Sequence, residues 1–300
     1  MGGAQICLLP ERGVIEVGGP EARVFLQGLI TNNMDFVDFA HAIYAALLTP
    51  QGKYLFDFFI VQHGEVFLLD CEAARLDDLC KRLNFYKLRA KVTIRDASAG
   101  FAVAALPGRE GQATLGLAEQ PGAARSLDSG VIFMDPRLAA MGARLILSPA
   151  ALSAYAQAPI EDYHRLRLEL GLAEGARDIA VEKYFLLEAN FEELNGVDFK
   201  KGCYVGQELV SRMKHRGVVR KRILPVVVEG PCPPPGTPIT AAGREVGVLH
   251  SSQDSRALAL LRLSALAPGA PALQSGDAIL TLIAPSWLTF TFADADNEQD

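Results

Sequence analysis

Apolar residues along the first 220 positions switch repeatedly between a spacing of three to four and a spacing of two, and after Arg222 the helical spacing stops. A chain patterned this way packs helices with strands in its larger part and strands alone in its tail. Ala22, Phe25, Leu26, Leu29 and Ile30 fall on one helical face behind the start residues Pro20 and Glu21, and Leu76, Leu79, Cys80 and Leu83 repeat the pattern. Residues 43–48, 54–61 and 66–69 read as strands, the first two joined into a hairpin by Pro50-Gln51-Gly52. Residues 92–94 and 101–106 add strands, residues 108–130 read as a Gly-, Ala- and Pro-containing loop, and a helix resumes at Pro159 and runs to Gly171.

Beyond Pro225 the run Gly230-Pro231-Cys232-Pro233-Pro234-Pro235-Gly236 excludes helix, and residues 246–249, 257–263, 278–283 and 288–292 are short and strand-like. The expected fold class is therefore α+β: a body over residues 1–222 and a small β-barrel over 223–300, with a frayed acidic end at 293–300. At 300 residues the chain is long enough for two such units.

Composition narrows the partners. No apolar run approaches the roughly 18 residues a spanning helix needs, so no membrane partner is expected. The formal charge of −6 disfavours a generic nucleic-acid binder. Five cysteines, odd in number and irregularly spaced, point to a reducing compartment. The start carries no basic cluster ahead of an apolar stretch, and Ile6 breaks the myristoylation pattern, so a cytoplasmic protein is expected.

The densest chemical signal is Lys200-Lys201-Gly202-Cys203-Tyr204-Val205-Gly206-Gln207-Glu208, with good helix formers over 207–213. Cys203 then sits just ahead of a helix amino terminus, where the dipole and nearby ammonium groups favour the thiolate that attacks electrophiles or binds soft metals. The competing reading is a small buried hydrophobe. Cys7, Cys71, Cys80 and Cys232 form no C-x-x-C and have no histidine at zinc spacing, so no self-contained metal site is expected. Residues 200–222 hold eight Lys or Arg against one acid, Glu208. That stretch is either a solvated helix face with a linker or a site for an anion such as a polycarboxylate tail or RNA phosphates. Arg165 and Glu169, at i and i+4, read by spacing as an exposed pair. His41, His63, His164 and His250 show no pairing with acids at useful spacing, and His215 is a candidate pocket residue.

The Lys-Gly-Cys-Tyr-Val-Gly-Gln-Glu run at 201–208 resembles the signature of the YgfZ group in the GcvT-like folate-binding superfamily, which includes the glycine-cleavage T-protein and the mitochondrial iron-sulfur assembly relatives of YgfZ. Phe25-Leu26-Gln27-Gly28-Leu29-Ile30-Thr31-Asn32, Thr49-Pro50-Gln51-Gly52-Lys53 and Arg167-Leu168-Glu169-Leu170-Gly171 resemble further superfamily segments, in the same order. The resemblance implies intertwined α/β subdomains around a central tetrahydrofolate opening, capped by a small barrel. It implies that Glu169 accepts the paired N–H donors of the pterin, that Arg220 and Arg222 hold the tail, and that Tyr204 belongs to the pocket. It further implies Cys203 as a reactive or cluster-facing thiol and an iron-sulfur cluster carrier or client as partner. The T-protein carries an Asp-Asp pair where this chain has Phe56-Asp57, so one acid is lost and aminomethyl transfer through Asp57 is the alternative function. Binding of RNA, in support of tRNA modification, is a third reading, resting on the basic stretch.

Overall fold

A computed structural model describes residues 5–109, 115–217 and 219–289. Two sheets and a closed barrel organise the described residues. The five-stranded antiparallel sheet runs β3 (Ile43–Leu48), β4 (Tyr54–His63), β5 (Val66–Glu72), β2 (Arg12–Gly18), β6 (Thr93–Asp96). The six-stranded sheet runs β11 (Ala156–Gln157), β1 (Gln5–Leu8), β7 (Ala102–Pro107), β10 (Gly142–Leu147), β9 (Gly130–Met134), β8 (Ala124–Leu127).

Strand alternation sends side chains to opposite faces, and here both faces of both sheets are covered. Val131 and Phe133 of β9 join the core shared by the two sheets, whereas Ile132 and Met134 pack on the far side. Tyr44 and Ala46 of β3 face the shared core, and Ile43, Ala45 and Leu47 face the helices Ala22–Gln27 and Leu76–Lys87. The shared core is thus a layer pressed between two sheets.

The barrel closes in the order β12 (Lys221–Glu229), β15 (Arg256–Arg262), β14 (Arg244–Gln253), β13 (Pro238–Ala241), β16 (Leu273–Ser275), β17 (Ala278–Leu282). Closure leaves no free sheet edge, and Val226, Ile239, Leu249 and Leu261 fill its own core. Ile223, Leu224, Leu258 and Trp287 join the body's core instead, and Trp287 Nε1 donates to the Leu170 carbonyl at 2.7 Å. The barrel is therefore docked on the body through its first strand.

The hairpin at Pro50-Gln51-Gly52 and the helices Leu76–Lys87, Ile160–Glu169 and Gln207–Arg216 lie where periodicity puts them. The expected boundary at 222/223 falls inside β12, which starts at Lys221. The expected loop at 108–130 ends in β8 and the start of β9, its residues 110–114 lying outside the described residues. Leu288 and Thr289 are not strand, and positions 290–292 and the acidic end at 293–300 lie outside the described residues.

Candidate functional site

Between the sheets lies a buried ionic centre. Asp70 on β5 accepts from Arg12 Nε at 2.6 Å and from Arg144 Nη2 at 2.6 Å, so one carboxylate ties β2 to β10 across the two sheets. Arg144 Nη1 reaches the Tyr163 hydroxyl at 3.0 Å, and that hydroxyl donates to Glu174 Oε1 at 2.7 Å. Arg167 pairs with Asp178 at 2.7 Å and stands 3.6 Å from Glu174 Oε2. Arg137 is held by Asp135 at 2.7 Å. Burial alone would push the Glu174 carboxyl up, but Arg12, Arg167, Arg144 and Arg137 overrule it and hold it well below the usual carboxylate range. Four buried guanidiniums face four buried carboxylates, each paired within the chain, with Arg167 Nε left without a hydrogen-bond partner among the described residues.

The residues matched to folate lie in different surroundings from one another. Glu169 ends the helix Ile160–Glu169 and is exposed, and it is not among the residues lining the clefts at Asn32, Phe56 and Arg167. Arg165 pairs with Asp162 at 2.9 Å and Asp254 at 3.3 Å rather than with Glu169. The inward carboxylate is Glu174, because Gly171 at φ +74° turns the chain back after the helix. Arg222 is buried and bound to Asn190 Oδ1 at 3.0 Å and Glu193 Oε1 at 2.7 Å, so it braces the barrel rather than a ligand tail. Arg220 is exposed. Asp57 is buried, its oxygens taken by the hydroxyls of Tyr44 at 3.0 Å and Tyr54. Burial and Asp57 push both phenols well up, which keeps them protonated donors. Of the two matched carboxylates, Asp57 has its oxygens taken by phenols, whereas Glu169 is open to solvent.

The cysteine motif is built differently. Cys203 is exposed, between anchors on both sides. Before it, Lys201 is buried, and its ammonium donates to the carbonyls of Ile30 and Asn32 at 2.6 Å each. Burial pulls that ammonium down to about 8 against the attraction of Asp198 and Asp35. After it, Tyr204 is buried, with Lys201 Nζ 5.2 Å from its ring centroid. Gly206 at φ +83° closes the turn, and a Cβ there would stand 2.6 Å from the Thr49 carbonyl oxygen. Gly52 at φ +72° meets it from the hairpin turn, where a Cβ would lie 3.0 Å from the Gly206 oxygen. Three segments distant in sequence thus fix the loop that carries the thiol: Ile30 to Asn32, the hairpin turn and the loop itself.

Thr31 and Asn32 fix the floor beneath. Thr31 Oγ1 donates to the Gly196 carbonyl at 2.7 Å, and Asn32 Nδ2 donates to the carbonyls of Tyr44 and Asn195 at 2.8 Å each. Lys201 as an anchor is missed by sequence reasoning, which sees in the Lys200-Lys201 doublet only charge. The structure splits the doublet: Lys200 is exposed and Lys201 buried. His215 is exposed with its ring 6.4 Å from Phe199. His164 does meet an acid, Glu11 at 3.3 Å, through the fold rather than through spacing.

A profile of the CAF17 C-terminal beta-barrel domain matches residues 220–290. The glycine cleavage system aminomethyltransferase T from Bartonella henselae superposes with a TM-score of 0.78 over 96% of this chain and 87% of that one, at 16% identity, so the GcvT-like fold is shared. The mitochondrial iron-sulfur cluster assembly factor IBA57 of Mus musculus is 34% identical, covering 93% of this chain and 84% of that protein. Its Homo sapiens counterpart is 37% identical, covering 87% and 78%. These relatives are named as mitochondrial, which corrects the cytoplasmic expectation; a missing secretory pattern speaks only about secretion. With that identity over that coverage, the chain belongs to the IBA57 family of iron-sulfur cluster assembly factors.

Proposed function

We propose that this protein assists iron-sulfur cluster assembly by presenting the Cys203 thiol to a cluster-carrying partner protein. The observation that carries the reading is a solvent-facing thiol between two buried anchors, Lys201 and Tyr204. A flexible thiol would spend binding energy on ordering, whereas this one is held in place before the partner arrives. One cysteine supplies one cluster ligand, so the partner supplies the rest. Cys7 and Cys71 are buried, and burial pushes the Cys80 thiol up to about 11.

The surroundings suit a protein partner. Phe36 and Phe39 are 51% and 54% exposed, on the segment that follows the carbonyls gripped by Lys201. The last turn of the helix Gln207–Arg216 carries Lys214, His215 and Arg216, which would meet an acidic face. Kinship with the YgfZ group rests on the 201–208 motif and is part of this proposal. The reading includes no folate step. Aminomethyl transfer through Asp57 and RNA binding gain no specific observation among the described residues.

Cells lacking the protein, complemented with wild type or Cys203→Ser, provide the test. Activity of iron-sulfur dehydratases is expected to return with wild type and to stay at the depleted level with the variant. Full rescue by Cys203→Ser would remove the thiol from the function.

A further inference from the structure

Helix Leu76–Lys87 buries Leu76, Leu79 and Leu83 against the five-stranded sheet. Its opposite stripe, Lys81, Asn84 and Phe85 at i, i+3 and i+4, faces solvent, and Leu88, just past the helix end, is exposed beside it. Phe85 is 71% exposed and Leu88 88% exposed, the latter at φ 45° where L side chains rarely sit. Residues 81–91 hold Lys81, Arg82, Lys87, Arg89 and Lys91 and no acid, in a chain of net charge −6. The nearby acids are Asp77 and Asp78 in the first turn of the helix, the latter 3.3 Å from Lys81, Glu182 across the adjoining cleft, and Glu21, which accepts the Lys91 backbone N–H at 2.7 Å. Val24 and Ile279 are also exposed but carry no comparable run of cations around them.

We propose that this corner rests the protein on an anionic bilayer surface, with Phe85 and Leu88 entering the headgroup layer and the five cations meeting lipid phosphates. An aromatic and an aliphatic side chain flanked by Lys and Arg is the composition of interfacial anchors. The two apolar groups protrude, so they fit a surface that yields around them better than a rigid protein face, which would need a socket for each. That no helix among the described residues is long and apolar enough to cross a membrane bears on crossing a bilayer and not on lying against one. The patch is independent of the Cys203 reading, which can stand or fall without it. The competing occupant is an acidic peptide in the adjoining cleft of about 380 Å³, walled by Leu55, Phe56, Arg75, Arg82 and Phe85.

Co-sedimentation of the full chain with vesicles decides the matter, using phosphatidylcholine alone or with about one third phosphatidylglycerol. Binding is expected to the anionic vesicles only, to weaken as salt rises, and to fall about fivefold for each of Lys81→Gln, Arg89→Gln and Lys91→Gln. The Phe85→Ser, Leu88→Ser double variant should lose at least about tenfold while melting as wild type, since neither side chain fills a core. Equal behaviour of the two vesicle types, or wild-type binding by both sets of variants, overturns the proposal. So does binding of a polyglutamate peptide that these variants abolish while vesicles of either kind leave the protein in solution.

Discussion

The ionic centre and the Cys203 loop are both rich in charged residues, and they use them in opposite ways. In the centre, Asp70, Arg144, Arg167 and Asp178 are all at most 1% exposed and partnered within the chain. At the loop one ammonium, Lys201, is buried to hold the backbone, and the residue two positions on is left open to solvent. The difference separates charge that builds the fold from charge that prepares a site. Buried pairs stabilise little on balance but are costly to break, whereas an exposed thiol on a fixed loop adds little to the fold and leaves its chemistry available.

That contrast breaks most visibly at Asp70. Asp70→Ala strands Arg12 and Arg144 between the sheets and is expected to cost about 3–5 kcal/mol in urea unfolding. A loss near zero would mean the centre is not a structural unit. A smaller effect separates the two glycines of the motif. Gly206→Ala forces a left-handed residue against the Thr49 carbonyl and should cost at least about 1–2 kcal/mol, whereas Gly202→Ala meets nothing within 4 Å and should leave stability unchanged.

Lys201 sharpens the comparison through pH. Its folded value of about 8 lies below its ordinary 10.5, so between those values the unfolded chain keeps a proton that the folded chain has released. Stability carried by this group therefore rises as pH climbs from about 8 to 10.5, and that rise should be missing from the unfolding profile of Lys201→Met. Cys203→Ser is the smallest change, expected to stay within about 0.5 kcal/mol of wild type in the same denaturation experiment. A large loss there would turn the thiol into a packing residue.

Sequence reading succeeded where one period dominated. The stripe Leu76, Leu79 and Leu83 and the strands around Pro50-Gln51-Gly52 carry their own geometry, and both elements form as expected. It passed over β10, whose six residues are all buried as those of β3 are, but whose apolar run is broken by the buried Arg144. At the site, spacing paired Arg165 with Glu169, but a chain reversal at Gly171 left Glu169 outside and carried Glu174 inward. The cations of residues 81–91 were legible as a run, but the exposure of Phe85 and Leu88 beside them was not.

Order along the chain determined the α+β body, the strand-only tail and the motif that carries Cys203, because periodicity, proline and glycine act over a few neighbouring residues. Which charges are answered from within and which face a partner was decided only when β2, β5 and β10, or the Asn32 floor and the hairpin turn, came together from distant positions. Partnering of buried charge is a property of three-dimensional neighbours, and no local spacing encodes it.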